Sequence, residues 1–159
     1  NGDYQDEGIL LAHPALGITA MNVAPEYGTV ETRAYLKLIE LEEILFKEGL
    51  ISKKSDLKNC IRHESVMSRR WEKWMTDDTV SKTTEELLQD EEIISVITDI
   101  SGHYTFNNDN VKEEIETLFE NLSEAGVNAE EYVIYKLKES LDRYVECFNL
   151  KGYTSRLKK

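Results

Sequence analysis

From Val30 onward the apolar residues recur every three or four positions, the period that lines them along one side of an α-helix. Tyr35, Leu38, Leu41, Leu45 and Phe46 mark a first helix, with Gly49 where a left-handed C-cap belongs. Ser55-Asp56 offers an N-cap for a second helix that runs to about Trp74, with Leu57, Ile61, Met67, Trp71 and Met75 on one side. His63-Glu64-Ser65 interrupts that side, so a kink is expected there. Thr83-Thr84-Glu85-Glu86 fits a capping box, in which the hydroxyl accepts from a first-turn amide and the glutamate reaches back to the cap amide. The third helix follows with Leu87, Leu88, Ile94, Ile97 and Ile100, and Gly102 closes it.

His103-Tyr104-Thr105-Phe106 reads as a short extended connector. Asn110 and Asn128 repeat the capping logic and open a fourth helix (Val111, Ile115, Leu118, Phe119, Leu122) and a fifth (Val133, Leu137, Leu141, Tyr144, Val145, Phe148). Gly126 between them predicts a tight hairpin. Pro14 and Pro25, the two prolines of the chain, fall with Gly2, Gly8, Gly17 and Gly28 near the start, which predicts a non-helical segment. Ile9-Leu10-Leu11 and Ile18 to Met21 are apolar enough to dock it. The expected organisation is an extended N-terminal arm over 1–29 and a helical domain over 30–159. The fold class is all-α, a single-domain bundle of about five amphipathic helices.

Composition changes this picture little. The 159 residues are 40% apolar and 31% charged, which suits one domain with its own core. No apolar run approaches the roughly eighteen residues of a membrane span, and the first residues lack the basic-then-apolar pattern of a secretory leader. A soluble, cytoplasmic protein with no membrane partner is the expectation. Cys60 and Cys147, the only cysteines, are too few for a disulfide framework and wrongly spaced for zinc. Either two small buried hydrophobes or one long-range disulfide satisfies the sequence.

Charge changes it more. Between Glu85 and Glu131 stand fourteen acids and one base, Lys112, giving −13 in a chain whose total is −12. First-turn placement against the helix dipole accounts for Glu85, Glu86, Glu113, Glu114, Glu130 and Glu131. The others, Lys112 aside, lack the usual lysine or arginine one turn away. On the fourth helix Glu113, Glu116, Glu120 and Glu124 recur at three and four residues, a stripe opposite the apolar side. A field of one sign attracts cationic partners and repels nucleic acid. Arg62, Arg69, Arg70 and Lys73 do cluster with Trp71 and Trp74, but four cations make a poor nucleic-acid footprint on a chain at −12.

Candidate catalytic chemistry is sparse. His13, His63 and His103 are never at metal-ligand spacing, and H-E-x-x-H, G-x-S-x-G and the phosphate-loop patterns are missing from the sequence. The run Asp99 to Asp109 misplaces the ligands and glycine of a calcium loop. No cofactor, no metal and no catalytic residue is assigned.

The segment from Arg33 through Ile51, followed by Leu57, Ile61 and the Arg70-Trp71-Glu72-Lys73-Trp74 run, resembles the helical segment near the start of nitrile hydratase β-subunits and their accessory proteins. The likeness covers about 45 residues and consists of a helix ending in glycine, a second helix and a tryptophan-bearing stretch. It implies a helical accessory or partial subunit of a metalloenzyme. No catalytic residue transfers, because that family's metal-binding Cys-x-x-Cys-Ser-Cys loop and the β-rich half of its β-subunit are not in this sequence.

The residues themselves favour an acidic interaction module, an inhibitor or immunity-type protein that covers the cationic groove of a basic toxin or nuclease. Asp90, Glu91, Glu92, Glu113, Glu116, Glu120 and Glu124 are the expected contacts, with Tyr132 and Tyr135 as aromatic anchors. The two alternatives are the nitrile hydratase-like subunit and an oligomeric helical scaffold. Oligomeric state is left open.

Overall fold

The computed structural model describes residues 2–157, so the predicted outer limits at 1 and 159 lie outside the described residues. Among the described residues the structure is all-α, with nine α-helices, three short 3-10 turns and no strand. The helices are α1 (Glu7–Ala12), α2 (Pro25–Lys47), α3 (Leu57–Ser68), α4 (Asp77–Val80), α5 (Thr84–Gln89), α6 (Glu91–Ser101), α7 (Asp109–Glu124), α8 (Ala129–Cys147) and α9 (Tyr153–Leu157). Of these α2, α3, α7 and α8 each carry one of the predicted apolar periods, and α5 and α6 share the third. α1, α4 and α9 are additions that single-period reading passes over.

The differences have local causes. The N-terminal arm is not extended throughout, because Asp6 caps a short helix by accepting from the Ile9 amide and Pro14–Leu16 forms a 3-10 turn. Its junction with the helical part lies earlier than residue 30, since Pro25 supplies the first-turn residue of α2. The second predicted helix stays helical through His63-Glu64-Ser65 and stops at Ser68, where Arg69 turns left-handed. Trp71 therefore reaches the core from a 3-10 turn, fully buried, with its indole N–H donating to the Val66 carbonyl at 3.0 Å. The third predicted helix breaks at Asp90, whose backbone leaves the helical region and whose side chain caps α6 through the Ile93 amide.

Gly102 keeps right-handed torsions and leads into a 3-10 turn over 102–104 where an extended connector was expected. α7 begins at Asp109, one residue before the expected cap at Asn110, so Glu113 and Glu114 stand beyond its first turn. At α3 the expected Ser55-Asp56 cap is not made. The Ser55 hydroxyl donates to Glu42 and Asp56 accepts from the Asn59 side chain. The capping box at Thr83, the Asn128 cap on α8, and left-handed backbone at Gly49 and Gly126 are as the sequence predicts.

Two apolar clusters hold the helices. The larger joins α2, α3, α7 and α8 through Leu38, Leu57, Ile61, Val111, Leu118 and Leu122, with Tyr35 ringed by Phe106 and Phe119. The smaller joins the end of α3 to α5 and α6 through Val66, Trp71, Leu87, Ile94 and Ile97. α2 packs chiefly on α8, and α3 packs on α6 and α7, so α3 separates the two most acidic helices. Both cysteines are free thiols. No helix among the described residues is long and apolar enough to cross a membrane.

Candidate functional site

The acidic residues of the central stretch divide into two sets once the helices are packed. Around α5 and α6 most carboxylates already have partners. Glu86 closes the capping box with the Thr83 amide at 2.7 Å, and those hydrogen bonds hold its carboxyl below the usual value. Asp90 accepts from the Ile93 amide and from Lys82, which lowers its carboxyl in the same way. Glu91 takes a two-point bond from Arg62 of α3 at 2.9 and 2.7 Å, and Asp99 takes one from Arg33 of α2 at 2.7 Å for both contacts. Forked pairs of this kind fix side chains as well as neutralising charge. Glu92 is exposed and forms no ion pair among the described residues.

Along α7 the arrangement is different. Val111, Leu118 and Leu122 are fully buried, which turns Glu113, Glu116, Glu120 and Glu124 to the outside, and all four are exposed. Among the described residues the one ion pair to the row is from Lys53, 4.0 Å from Glu120, with both side chains mostly in solvent; Lys112, on the same helix, pairs with Asp109 instead. Glu114 lies off the row and accepts from the Asp56 amide at 2.6 Å, tying α7 to the start of α3. The row is thus the one regularly spaced set of carboxylates in the acidic stretch that folding leaves largely unneutralised among the described residues.

The two expected aromatic anchors lie on α8. Tyr132 is partly buried against the large cluster. Tyr135 is 57% exposed but shares its surface hollow with Glu7, Lys138, Glu139 and Arg143, on the α1 side of α8. The hollow nearest the row lies at the α7–α8 turn and is lined by Phe119, Ser123, Val127 and Glu130.

Two buried carboxylates on α2 escaped the sequence reading. Glu42 is 1% exposed and accepts from the Ser55 amide at 2.9 Å, the Ser55 hydroxyl at 2.8 Å and the Asn121 side chain at 2.7 Å. Glu26 accepts from Arg143, from the Tyr144 hydroxyl and from the Tyr4 amide. Burial, and then the hydrogen bond to Glu26, push the Tyr144 phenol well above its ordinary value. Through this knot and through Asp3, whose carboxylate accepts from the Ala24 and Glu26 amides at 2.9 Å each, the N-terminal arm caps α2 from a distant point in the chain. A mismatched period is the available signal for Glu42: it stands one residue after Leu41 among the apolar positions of α2.

Three or more histidine, cysteine or carboxylate side chains that would hold a metal ion do not gather anywhere among the described residues. Compared with protein-family models, with curated protein sequences and with solved structures, the chain matches none.

Proposed function

We propose that the chain is an acidic protein-interaction module that docks a basic protein through the outer face of α7, in the manner of an inhibitor or immunity-type antidote. The observation that carries this reading is the exposed row Glu113, Glu116, Glu120 and Glu124, which is bound to nothing that the fold requires. Four carboxylates over about three turns of helix span roughly 15 Å at 1.5 Å per residue, a fair match to a groove built for several phosphates. Glu92 adds charge at the α6 end. Asp90 and Glu91 contribute less, because Lys82 and Arg62 already meet them.

The test is capture at low salt, with mass spectrometry of proteins eluting between about 0.2 and 0.5 M salt, where exposed charge pairs are screened. Run beside it, the Glu116→Lys/Glu120→Lys double variant retains none of the captured basic protein while its helical circular dichroism is unchanged. Equal retention by the variant contradicts the reading.

A second reading, an oligomeric helical protein, is supported by exposed Ile134 and Leu141, one heptad apart on α8. They line a hollow with Tyr27 and Leu137. Light scattering tests it, a monomer at high concentration being the contrary result. The third, a nitrile hydratase-like accessory subunit, draws on the order of α2, Gly49, α3 and the Trp71–Trp74 turn. It requires a metal-bearing partner subunit to copurify.

A further inference from the structure

Opposite in character to the α7 row is a crevice where four segments of the chain meet. The arm contributes Tyr4, the start of α2 contributes Thr29, the 3-10 turn after α3 contributes Lys73 and Trp74, and the 3-10 turn after α6 contributes His103 and Tyr104. Its volume of about 400 Å³ falls within the range of small-molecule pockets. Trp74 is 67% exposed, and Tyr104 is 45% exposed with its ring centre 4.0 Å from that of His103. Exposed aromatic faces around a concave space are what a flat ligand needs.

The walls are fixed from behind. Trp74 is carried on the turn anchored by buried Trp71, with its amide bonded to the Trp71 carbonyl at 2.9 Å. Tyr4 is held by a hydrogen bond from its backbone N–H to the Glu26 carboxylate and by a 2.8 Å hydroxyl contact with Thr29. His103 sits against bare backbone, since a Cβ at Gly28 would lie 2.4 Å from its ring. Tyr4 (φ 61) and Arg69 (φ 52), on the arm and at the base of the Trp71 turn, both hold left-handed backbone that non-glycine residues rarely adopt. Such conformations concentrate where a fold positions side chains for a ligand.

The charges select the ligand. Asp99 is neutralised by the two-point bond from Arg33, and an Asp3 oxygen accepts two α2 amides. Lys73 has no carboxylate partner among the described residues, and its ammonium lies 5.1 Å from the Trp74 ring centre. Arg70 sits 5.2 Å from the Tyr104 ring centre. With cations already at both rings, a cationic ligand is repelled and an anion is drawn in. Burial pushes the His103 imidazole below its ordinary value, so at neutral pH it offers a hydrogen bond rather than a charge. A nucleic-acid strand meets the field of a chain at −12 over its whole length, whereas a small anion is set against Lys73 in a crevice whose Asp99 is already paired with Arg33 and whose Asp3 is turned to the α2 amides.

We infer that this crevice binds a planar aromatic anion of about nucleotide size, its ring against Trp74 and Tyr104 and its negative group on Lys73. The site is independent of the α7 row, so either assignment stands or falls without the other. Calorimetric titration of the whole chain with AMP and with 2-naphthoate tests it, with adenosine supplying the ring without charge and inorganic phosphate the charge without ring. AMP binds, and adenosine and phosphate each bind about tenfold or more weaker. Trp74→Ala weakens AMP and adenosine alike by about tenfold or more, while Lys73→Gln lowers AMP to the adenosine level and leaves adenosine unchanged. Both side chains are exposed, and circular dichroism confirms that the variants remain folded. Absence of heat from both AMP and 2-naphthoate at about 10 mM overturns the assignment. So does AMP affinity that neither variant alters, and so does a twelve-residue oligothymidylate that outcompetes AMP, which would make the crevice part of a strand-binding surface.

Discussion

Glutamates on α2 and glutamates on α7 are the same side chain in opposite employment. Glu42 and Glu26 are buried and accept three hydrogen bonds apiece, so they knit the 49–55 loop, α7, α8 and the N-terminal arm to one helix. Glu113, Glu116, Glu120 and Glu124 stand in solvent, with the remote contact to Lys53 as their one ion pair among the described residues. A buried carboxylate needs donors to offset its lost hydration, which makes it costly to remove. An exposed one needs nothing and can be altered freely as far as folding is concerned. The carboxylates around α6 lie between these extremes, half structural and half surface.

The contrast is broken most severely at Glu42. Glu42→Ala leaves the Ser55 amide and the Asn121 side chain buried without an acceptor, and is expected to lower stability by about 3 kcal/mol in urea unfolding. A loss below 1 kcal/mol would show that solvent reaches the site and that the two classes of glutamate are not distinct. At the intermediate set, Thr83→Ala removes the capping box of α5 and should cost about 1 kcal/mol, read as a shift in melting temperature.

Glu64 sharpens the comparison through pH. Burial would raise its carboxyl, but hydrogen bonds from Asn110, His63 and Asn108 outweigh that and hold it below the ordinary 4.5. Its stabilising contribution is therefore complete above pH 4.5 and is lost as pH falls through the lower folded value. Unfolding measured in steps below that point should show wild type losing stability faster than Glu64→Gln. Parallel curves would remove Glu64 from the set of structural carboxylates. The smallest effect belongs to α7, where changing Glu113, Glu116, Glu120 and Glu124 together to glutamine should move stability by no more than about 0.5 kcal/mol.

The helices that carry a strong apolar period were legible before the structure. Leu118 and Leu122 on α7 and the Asn128 cap on α8 behave as their spacing implies, because one-sided burial and local capping are written in residues close together in the chain. The break at Asp90 was not, since an aspartate inside a periodic run signals a cap only once the preceding turn is seen to end. Trp71 has the right apolar side for a helix and is in fact buried from a turn, and burial alone does not distinguish the two. The Glu26–Arg143–Tyr144 knot joins residues more than a hundred positions apart, and nothing local in the sequence announces it. The acidic stretch was visible as composition. Which of its carboxylates fold against arginines was decided by Arg33 and Arg62, which lie on α2 and α3.

The proposed docking of a cationic protein on the α7 row is tested most directly by the affinity of the basic protein retained at low salt, titrated against wild type and against Glu116→Lys/Glu120→Lys over about 0.05 to 0.5 M salt. The wild-type affinity should fall steeply with salt and the variant should show no binding at any point. Affinity that is flat in salt, or equal for the two chains, would contradict the account.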